Sequence, residues 1–521
     1  MTSPAADEDE VQIRRIFGNG FVDWVLAVDG PDRTPEQGQV AEFIHRASKE
    51  QFPESAHVSG YLRLSNLTLL NPETGRTGLA ELRRLAGGRD PAPGTSGEDE
   101  TLAALQAWAG ENFGGLLLEE GGFGTGWGSA SRERMTRAVA ADPELPFHAD
   151  SNETDGMWHI TSIGSAGSFQ LAFLGPSIVA AALRQAATRK TSILLNDLLA
   201  ELPAALSVAR AVHSGENVDA LAMAGLSGVL LPTEKEVLSA PWGRVRITYE
   251  TDNLILAKEP KLSSMTQADG TTIVSRGTGD LTIETTVPWS SEFAEMTTDE
   301  EVPPSRAPST ARDLLQRRVL DVRLAFALTM ADPQAPALLP TWAKIENPIS
   351  VTSDFSFTEI AKLRHRTPTR LSVEQAEEWE RWISVLDCAE LDNLGHAPQR
   401  LLRAMTERED PVDALVDAVI VWESIFGTHS EITFRVCASL AKLLCVTLEE
   451  RLAFLKKAKG VYTMRSKIVH GASDIRPERT NEARDEALRV AIQALRALTQ
   501  DRPDLLSLRS GSERSDRILL E

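Results

Sequence analysis

The stretch DPVDALVDAVIVWESIFG (410–427) decides the fold of the carboxyl-terminal part of the chain. Its apolar residues recur every three or four positions and share one helical face: Val412, Leu415, Val416, Val419, Trp422 and Phe426. Asp413 in the first turn favours a helix start, because an acid there complements the helix dipole. The pattern predicts an amphipathic helix whose apolar face packs in a core.

Three further helices are predicted after this one. SEITFRVCASLAKLL (430–444) indicates a helix from about Glu431 to Leu444. Its buried stripe is Ile432, Val436, Leu440 and Leu443. A third helix is expected from about Leu448 to His470, with a stripe of Leu448, Leu452, Leu455, Tyr462 and Val469. A fourth is expected from Thr480 to Thr499, so the sequence predicts a helical bundle.

Charged residues interrupt these apolar faces. Glu423 falls on the apolar face of the first helix, where a carboxylate needs a partner. Arg435 lies beside Ile432 on the second helix, and we expect it to pair with Glu423 across the two helices. A buried ion pair that only fixes packing also accounts for these two residues.

Arg465 continues the apolar stripe of the third helix. Its guanidinium keeps its charge, so it must lie between helices unless a groove exposes it. His470 follows five residues later, about 140° around an ideal helix, so regular geometry alone does not join the two side chains. Gly471 predicts that the helix ends there, and an unwound last turn would bring the imidazole towards the arginine.

The three quoted stretches, the third being VYTMRSKIVHG (461–471), resemble the Apea-like HEPN family, a four-helix nucleotide-binding domain of microbial and antiviral systems. In that family the first helix ends in an acid like Glu423, and the second begins with Ser-Glu like Ser430 and Glu431. The third carries an Arg-x4-His motif like Arg465 and His470. The resemblance covers the back of the chain and leaves the first 390 residues unassigned.

The resemblance implies a metal-independent endoribonuclease that acts as a homodimer through its carboxyl-terminal helices, in an anti-phage or toxin-like system. A ribose 2′-OH would attack the adjacent phosphate, His470 would transfer the proton, and Arg465 would stabilise the transition-state charge. Lys467, on the opposite face, would hold the RNA backbone. Ser466 stands where family members often have a larger polar residue, and it joins Glu423 and Arg435 as a supporting residue. No cofactor or metal is implied.

Two other functions fit the same sequence. In one, the HEPN domain is a non-catalytic dimerisation or RNA- or nucleotide-binding module, and residues 1–390 carry the function. In the other, the front region is an enzyme of unknown class.

The charge distribution suggests a restraint on RNA binding. The net charge is −21, yet residues 401–521 hold 19 basic and 19 acidic residues, so the excess belongs to the front of the chain. Lys442, Arg451, Lys456, Lys457, Lys459, Arg465 and Lys467 form a basic cluster in the neutral part. We expect the acidic front to repel RNA until a ligand or phage component binds.

The length of 521 residues predicts two or three domains and, overall, a multidomain α+β fold. We expect a mixed α/β region of unknown function (1–300), a helical connecting region (311–400), an all-α HEPN bundle (401–505) and a flexible tail (506–521). Two helices interrupted near Pro203 are predicted over 177–213. A small antiparallel sheet is predicted from four runs: GRVRITYE (243–250), NLILAKE (253–259), TTIVSR (271–276) and DLTIETTV (280–287).

Other motifs are interpreted as structural. GGFGTGWG (121–128) has Trp127 where a P-loop requires lysine, so we expect a flexible loop. The cluster of His148, Asp150, Asp155 and His159 fits no familiar metal site. The three cysteines, Cys388, Cys437 and Cys445, are expected to be reduced core thiols. The acidic start and the lack of a long apolar stretch predict a cytoplasmic protein without membrane contact.

Overall fold

The computed structural model describes residues 4–28, 32–51, 60–89, 99–118, 129–145, 159–163, 167–190, 192–254, 262–266, 272–276, 279–290, 292–294, 309–349, 353–358, 368–428, 431–470 and 477–521. Within this part of the chain, no helix combines the length and apolar character required to cross a membrane. The coarse prediction of an α+β protein with a helical carboxyl-terminal region is confirmed.

The described residues up to 145 form eight helices. They are α1 (Pro4–Phe17), α2 (Asn19–Val25), α3 (Pro35–Gln51), α4 (Gly60–Arg63), α5 (Ser65–Thr68), α6 (Gly78–Leu85), α7 (Glu100–Leu116) and α8 (Ala130–Ala141). Side chains of Thr77, Asp99 and Ser129 cap α6, α7 and α8 by accepting backbone hydrogen bonds. Within the region predicted as mixed α/β (1–300), the described residues before 146 form helices and one isolated bridge, Leu70 with Thr77, and the described strands begin at His159.

The two helices predicted over 177–213 are present, but they break elsewhere. They are α9 (Leu171–Arg189) and α10 (Leu195–His213), so Pro203 lies inside α10. The Asp197 carboxylate accepts a hydrogen bond of 2.9 Å from the Leu194 amide and fixes the start of α10. The chain therefore turns before this cap and not at the proline.

The β structure is more extensive than predicted. The strands among the described residues are β1 (His159–Ile163), β2 (Gly167–Gln170), β3 (Val218–Ser227), β4 (Val229–Leu230), β5 (Val237–Ala240), β6 (Gly243–Ile247), β7 (Leu262–Thr266), β8 (Thr272–Arg276), β9 (Leu281–Trp289), β10 (Glu292–Ala294), β11 (Leu339–Glu346), β12 (Ser353–Thr358) and β13 (Thr369–Arg370). Six of them form one antiparallel sheet in the order β12-β11-β3-β9-β6-β5. The central pair runs from Val218 opposite Trp289 to Leu226 opposite Leu281.

Of the four predicted strands, GRVRITYE and DLTIETTV supply β6 and β9 of this sheet. TTIVSR supplies β8, which pairs with β7 in a separate hairpin. NLILAKE was predicted wrongly at its start, because Asn253 and Leu254 belong to a 3-10 helix; its remaining residues lie outside the described part.

The expected helical connecting region contains two strands of the same sheet. It begins and ends with helices, α11 (Ser309–Met330) and α12 (Val373–Asp387), but β11 and β12 lie between them. Because β11 pairs with β3, the predicted division between residues 300 and 311 does not separate two folding units.

The two faces of the sheet differ sharply in polarity. On one face the strands bury Ala220, Ala222, Ala224, Val245, Ile283 and Val287, each at most 1% exposed. The register places Asp219, Arg244, Arg246, Thr282, Glu284, Thr286, Lys344 and Glu346 on the other face. Arg318 of α11 contacts Thr285 on the apolar face, and Arg184 of α9 contacts Glu346 on the polar one. The sheet is thus a middle layer between helices.

The carboxyl-terminal helices follow the predicted pattern. They are α13 (Ala397–Leu402), α14 (Pro411–Phe426), α15 (Ile432–Leu444), α16 (Leu448–Val469), α17 (Pro477–Gln500), α18 (Pro503–Leu506) and α19 (Gly511–Leu520). The four predicted helices are confirmed as α14 to α17. Asp410 caps α14 and Thr447 with Glu450 forms a capping box at α16, which explains where these two helices start.

The prediction of a flexible tail over 506–521 is wrong. Ser510 and Glu513 form a capping box that starts α19, and Ile518 is buried against the bundle. The boundary predicted at residue 401 is also not a break between packed units. Arg496 of α17 donates to the Leu328 carbonyl of α11, and Trp382 of α12 lies 5.1 Å from the same guanidinium.

Candidate functional site

Glu423 lies near the end of α14 and faces α16. Tyr462 donates a hydrogen bond to one of its carboxylate oxygens, and Arg465 Nη2 lies 3.6 Å from the other. The Arg465 and Glu423 side chains are 23% and 26% exposed, and Arg465 Nε is buried without a hydrogen-bond partner among the described residues. The guanidinium therefore pairs with Glu423 through charge alone and keeps donors available.

Tyr462 is almost completely buried beside this carboxylate. Burial, together with the hydrogen bond to Glu423, raises the pKa of Tyr462 above its ordinary value. The phenol therefore stays protonated at neutral pH and serves as a donor. Its position one helical turn before Arg465 lets both side chains reach the same acid.

His470 does not join Arg465. Helix α16 stays regular to Val469, and His470 is its C-cap, whose amide donates to the Ser466 carbonyl at 3.1 Å. The predicted end of the helix is confirmed, but the expected unwinding of its last turn is not present. His470 is exposed, whereas Arg465 points to the opposite side towards α14.

The exposed side of α16 carries a basic stripe that ends at His470. We define this stripe by its exposed residues Lys456, Lys459, Thr463, Lys467 and His470. On an ideal helix they fall within an arc of about 80°. Lys459 lies 5.2 Å from the ring of Phe434, and the predicted exposure of Lys467 is confirmed. The stripe offers three ammonium groups and one imidazole to a common ligand.

Two further members of the predicted basic cluster are engaged. Lys457 lies 2.8 Å from Glu486, and Arg451 donates to the Cys445 carbonyl at 3.0 Å. Ser466 is half-buried between the two sides of α16.

The expected pair of Glu423 with Arg435 is wrong. Arg435 forms an ion pair with Asp516 on α19, the helix that we expected to be a flexible tail. Because α19 packs along the side of α15, its Asp516 lies close to Arg435. Ser439 of α15 also shares a hydrogen bond of 2.9 Å with Ser515.

Arg514 fastens α19 to the end of α14. Its buried guanidinium donates to the carbonyls of Ser424, Ile425 and Leu508 at 2.9, 2.7 and 2.6 Å. These bonds satisfy carbonyls that the last turn of a helix leaves unpaired. The residue next to Glu423 is thereby fixed by its backbone.

Gly511 permits this close approach of α19. A β-carbon there would lie 2.8 Å from the Gly427 nitrogen and 2.9 Å from its oxygen. Any side chain at this position would push the first turn of α19 away from the end of α14.

Several residues predicted on buried stripes are exposed. Leu448, Leu452, Val469 and Ile432 are 71%, 59%, 54% and 39% exposed. Phe434 and Val446 add 49% and 85% exposure. We call these six residues the apolar surface of α15 and α16. Ile432, Leu448, Leu452 and Val469 were predicted as core because the periodicity reports an apolar face but not what covers it.

The cysteines and acids show no site for a metal. In the part of the chain that the structure describes, no group of three or more His, Cys, Asp and Glu side chains is placed to hold an ion. Of His148, Asp150, Asp155 and His159, only the strand position of His159 is described, and GGFGTGWG lies outside the described ranges. Cys437 is buried, which raises the pKa of its thiol to about 12, but Cys388 is exposed, contrary to our prediction of a core thiol.

No family model matches the chain, and neither a curated protein nor a solved structure matches it.

Sequence reasoning missed two features of this site. Tyr462 was interpreted only as an apolar residue, although the acid aimed at its face called for a donor. Arg514 was missed because the polar sequence around it gave no helical period. The Ser510-x-x-Glu513 pattern was the available signal for α19.

Proposed function

We propose that this chain is a metal-independent endoribonuclease of the HEPN type that acts as a homodimer. The observation that carries the proposal is the basic stripe of α16 with His470 at its end. Three exposed lysines bind phosphates without reading sequence, and the imidazole lies where that backbone would pass.

The chemistry requires a base and an acid. His470 takes the proton of a ribose 2′-OH as its oxygen attacks the neighbouring phosphorus. The bond to the 5′ oxygen breaks, and that oxygen receives a proton from a second imidazole. The products are a 2′,3′-cyclic phosphate and a 5′-hydroxyl, so DNA, which lacks the nucleophile, is left intact. Two copies of His470 in a symmetric dimer supply both roles.

Arg465 also favours a composite site. Within one chain it lies on the opposite side of α16 from His470, so it serves the phosphate beside the partner subunit's His470. Glu423, which accepts a hydrogen bond from Tyr462, attracts it from behind, and its Nη groups, which make no hydrogen bond with Glu423, provide the donors for a phosphate oxygen.

The apolar surface of α15 and α16 supports the dimer. Its six large apolar side chains are 39% to 85% exposed, and exposed apolar surface of this kind marks interaction sites. A two-fold interface would cover them and bring two basic stripes together. Light scattering at micromolar concentration should show a dimer, and a monomer would count against a composite site.

We further propose that the front region restrains the nuclease until a ligand or phage component binds, on the strength of its charge excess of −21. Because α17 packs against α11, the full chain is the appropriate material for a test. RNA cleavage should appear in cells only after infection. Constant cleavage without infection would contradict the restraint.

One observation favours a second function. The engagement of Arg465 with Glu423, away from His470, also suits a non-catalytic RNA-binding module whose host function lies in residues 1–390. Such a module would bind RNA through the same lysines and leave it intact.

A denaturing gel separates these functions. Purified full-length protein is incubated with single-stranded RNA in EDTA, alongside a His470→Ala variant and a His396→Ala control, whose histidine is also exposed but is the N-cap of α13. The nuclease predicts cleavage by the wild type and the control only, with cyclic phosphate ends. Binding without cleavage would favour the module. Cleavage of DNA, or a strict need for magnesium, would overturn the mechanism.

A further inference from the structure

The hydroxyl of Tyr462 is bonded to the carboxylate that faces Arg465. It donates to Glu423 Oε1, while Arg465 Nη2 lies 3.6 Å from the other oxygen, Oε2. A guanidinium and a carboxylate pair most strongly when two parallel N–H groups meet both oxygens. Glu423 and Arg465 do not form this pair, although their side chains are adjacent.

The backbone on both sides of this contact is held in place. Tyr462 is 7% exposed on α16, and Arg514 fastens the last turn of α14 by donating to the carbonyls of Ser424 and Ile425. The remaining freedom lies in the side chain of Glu423, because the terminal torsion of a glutamate is broad. The hydrogen bond from Tyr462 therefore sets the orientation of the carboxylate.

The phenol of Tyr462 suits this role because it remains a donor. Burial, together with the hydrogen bond to Glu423, raises the pKa of Tyr462 above its ordinary value, so the hydroxyl keeps its proton at neutral pH. Arg465 and Glu423 are each about a quarter exposed, so a phosphate can reach the guanidinium from solvent.

We propose that Tyr462 is a positioning residue that keeps Arg465 available to an RNA phosphate. Without the hydroxyl, the Glu423 carboxylate turns and accepts two parallel hydrogen bonds from the guanidinium. A phosphate must then displace that pair before it binds. The inference deepens the proposed nuclease and rests on that function for the role of the phosphate.

Chemical modification of Arg465 tests this positioning without RNA. Phenylglyoxal reacts with guanidinium groups that are not engaged, and peptide mass spectrometry of the treated full-length protein gives the rate at each arginine. Tyr462→Phe should slow the modification of Arg465 by about five- to tenfold, because a charge-assisted pair of hydrogen bonds must open first. Tyr249→Phe, which removes a hydroxyl next to β6, is the matched control and should leave this rate unchanged. Arg435, whose side chain is 25% exposed, is the internal reference and should react equally in all variants.

The double variant Tyr462→Phe/Glu423→Gln separates positioning from packing. With an amide in place of the carboxylate, Arg465 should react at least as fast as in the wild type, although the hydroxyl is still missing. Slow modification in the double variant would show that phenylalanine disturbs the packing of α16. Unchanged modification in Tyr462→Phe would show that water replaces the hydroxyl at Glu423. Either result would overturn the proposal.

RNA assays with the same variants separate this inference from the nuclease itself. Tyr462→Phe should weaken the binding of a labelled 2′-O-methyl RNA and lower kcat for cleavage by a similar factor, and the double variant should restore both. If the modification rates follow the expected order but the wild type leaves RNA intact, the nuclease fails and the positioning of Arg465 stands. If the wild type and Tyr462→Phe cleave RNA equally fast, the positioning role is overturned and the nuclease stands.

Discussion

Two carboxylates of α14 are held in different ways. Asp417 in its second turn is 2% exposed and accepts hydrogen bonds from Arg400 Nη1 at 2.5 Å and Arg408 Nε at 2.7 Å. Glu423, six residues later, is a quarter exposed and faces Arg465 at 3.6 Å without a hydrogen bond.

The difference separates a residue that holds the fold from one that can act on a ligand. Each oxygen of Asp417 has a guanidinium donor, so losing this acid would leave two arginines without their partner. The Arg465 guanidinium makes no hydrogen bond with Glu423 and can turn towards a phosphate at little cost. Asp417 is buried and fully paired, whereas Glu423, which lies nearer the basic stripe, is partly exposed and incompletely paired.

His470 gives the sharpest test of the site near Glu423 and Arg465. His470→Ala should lower the rate of RNA cleavage by about 100- to 10,000-fold, because it removes the group that transfers the proton. The residue is exposed, so thermal unfolding should be unchanged. Initial cleavage rates and circular dichroism melts measure the two effects. If the variant cleaves RNA normally, or unfolds as readily as a variant of a core residue, His470 is not the group that transfers the proton.

Replacing Asp417 should lower the free energy of unfolding. Asp417→Asn should cost about 2 to 3 kcal/mol, less than a fully buried pair, because Arg400 and Arg408 are each about one-third exposed and can be hydrated. Urea unfolding measures the change. Asp413→Asn on the same helix is the control, since its 3.9 Å contact with Arg408 is exposed and contributes less than about 1 kcal/mol. Equal losses in both variants would show that burial does not distinguish these acids.

The same contrast explains what the sequence could predict. The apolar periodicity predicted α14 to α17, because a stripe reports burial whatever covers it. The stripe does not show which element packs against it, so we expected Glu423 to pair with Arg435. Arg435 instead forms an ion pair with Asp516 of α19. The strand β11 was missed because LPTWAKIE (339–346) is a short mixed run between helices, and its pairing partner β3 lies more than 100 residues earlier.

Asp321 of α11 combines the burial of Asp417 with incomplete pairing. Its Oδ1 has no hydrogen-bond partner among the described residues, and Arg317 Nε lies 3.4 Å from Oδ2. Burial raises the pKa of Asp321 to about 6, with smaller contributions from the charges of Asp387 and Asp392. The folded protein therefore binds this proton more tightly than the unfolded chain does.

The sign of the pH effect follows directly. Stability is greatest below the unfolded pKa of about 3.9, falls as pH rises through about 6, and stays lower above it. Asp321→Asn should therefore stabilise the protein by about 1 to 2 kcal/mol at pH 7.5 and by almost nothing at pH 4. Unfolding curves at the two pH values measure this. Destabilisation at pH 7.5 would show that the Arg317 contact outweighs desolvation.

Glu423→Gln should produce the smallest change in stability and the most informative change in binding. The amide oxygen still accepts from Tyr462, while the partly exposed charge contact with Arg465 is lost, at a cost below about 1 kcal/mol. Arg465 is then no longer attracted to a carboxylate, so we expect RNA affinity to rise by up to about fivefold. Anisotropy with a labelled 2′-O-methyl RNA, which cannot be cleaved, measures the affinity.

Glu449→Gln is the control. It removes an exposed charge from α16, the helix that carries Arg465, without touching Arg465, and its effect should be smaller. If the two variants strengthened binding equally, net charge and not the release of Arg465 would be the cause. If Glu423→Gln instead cost as much stability as Asp417→Asn, both acids would serve mainly to hold the fold.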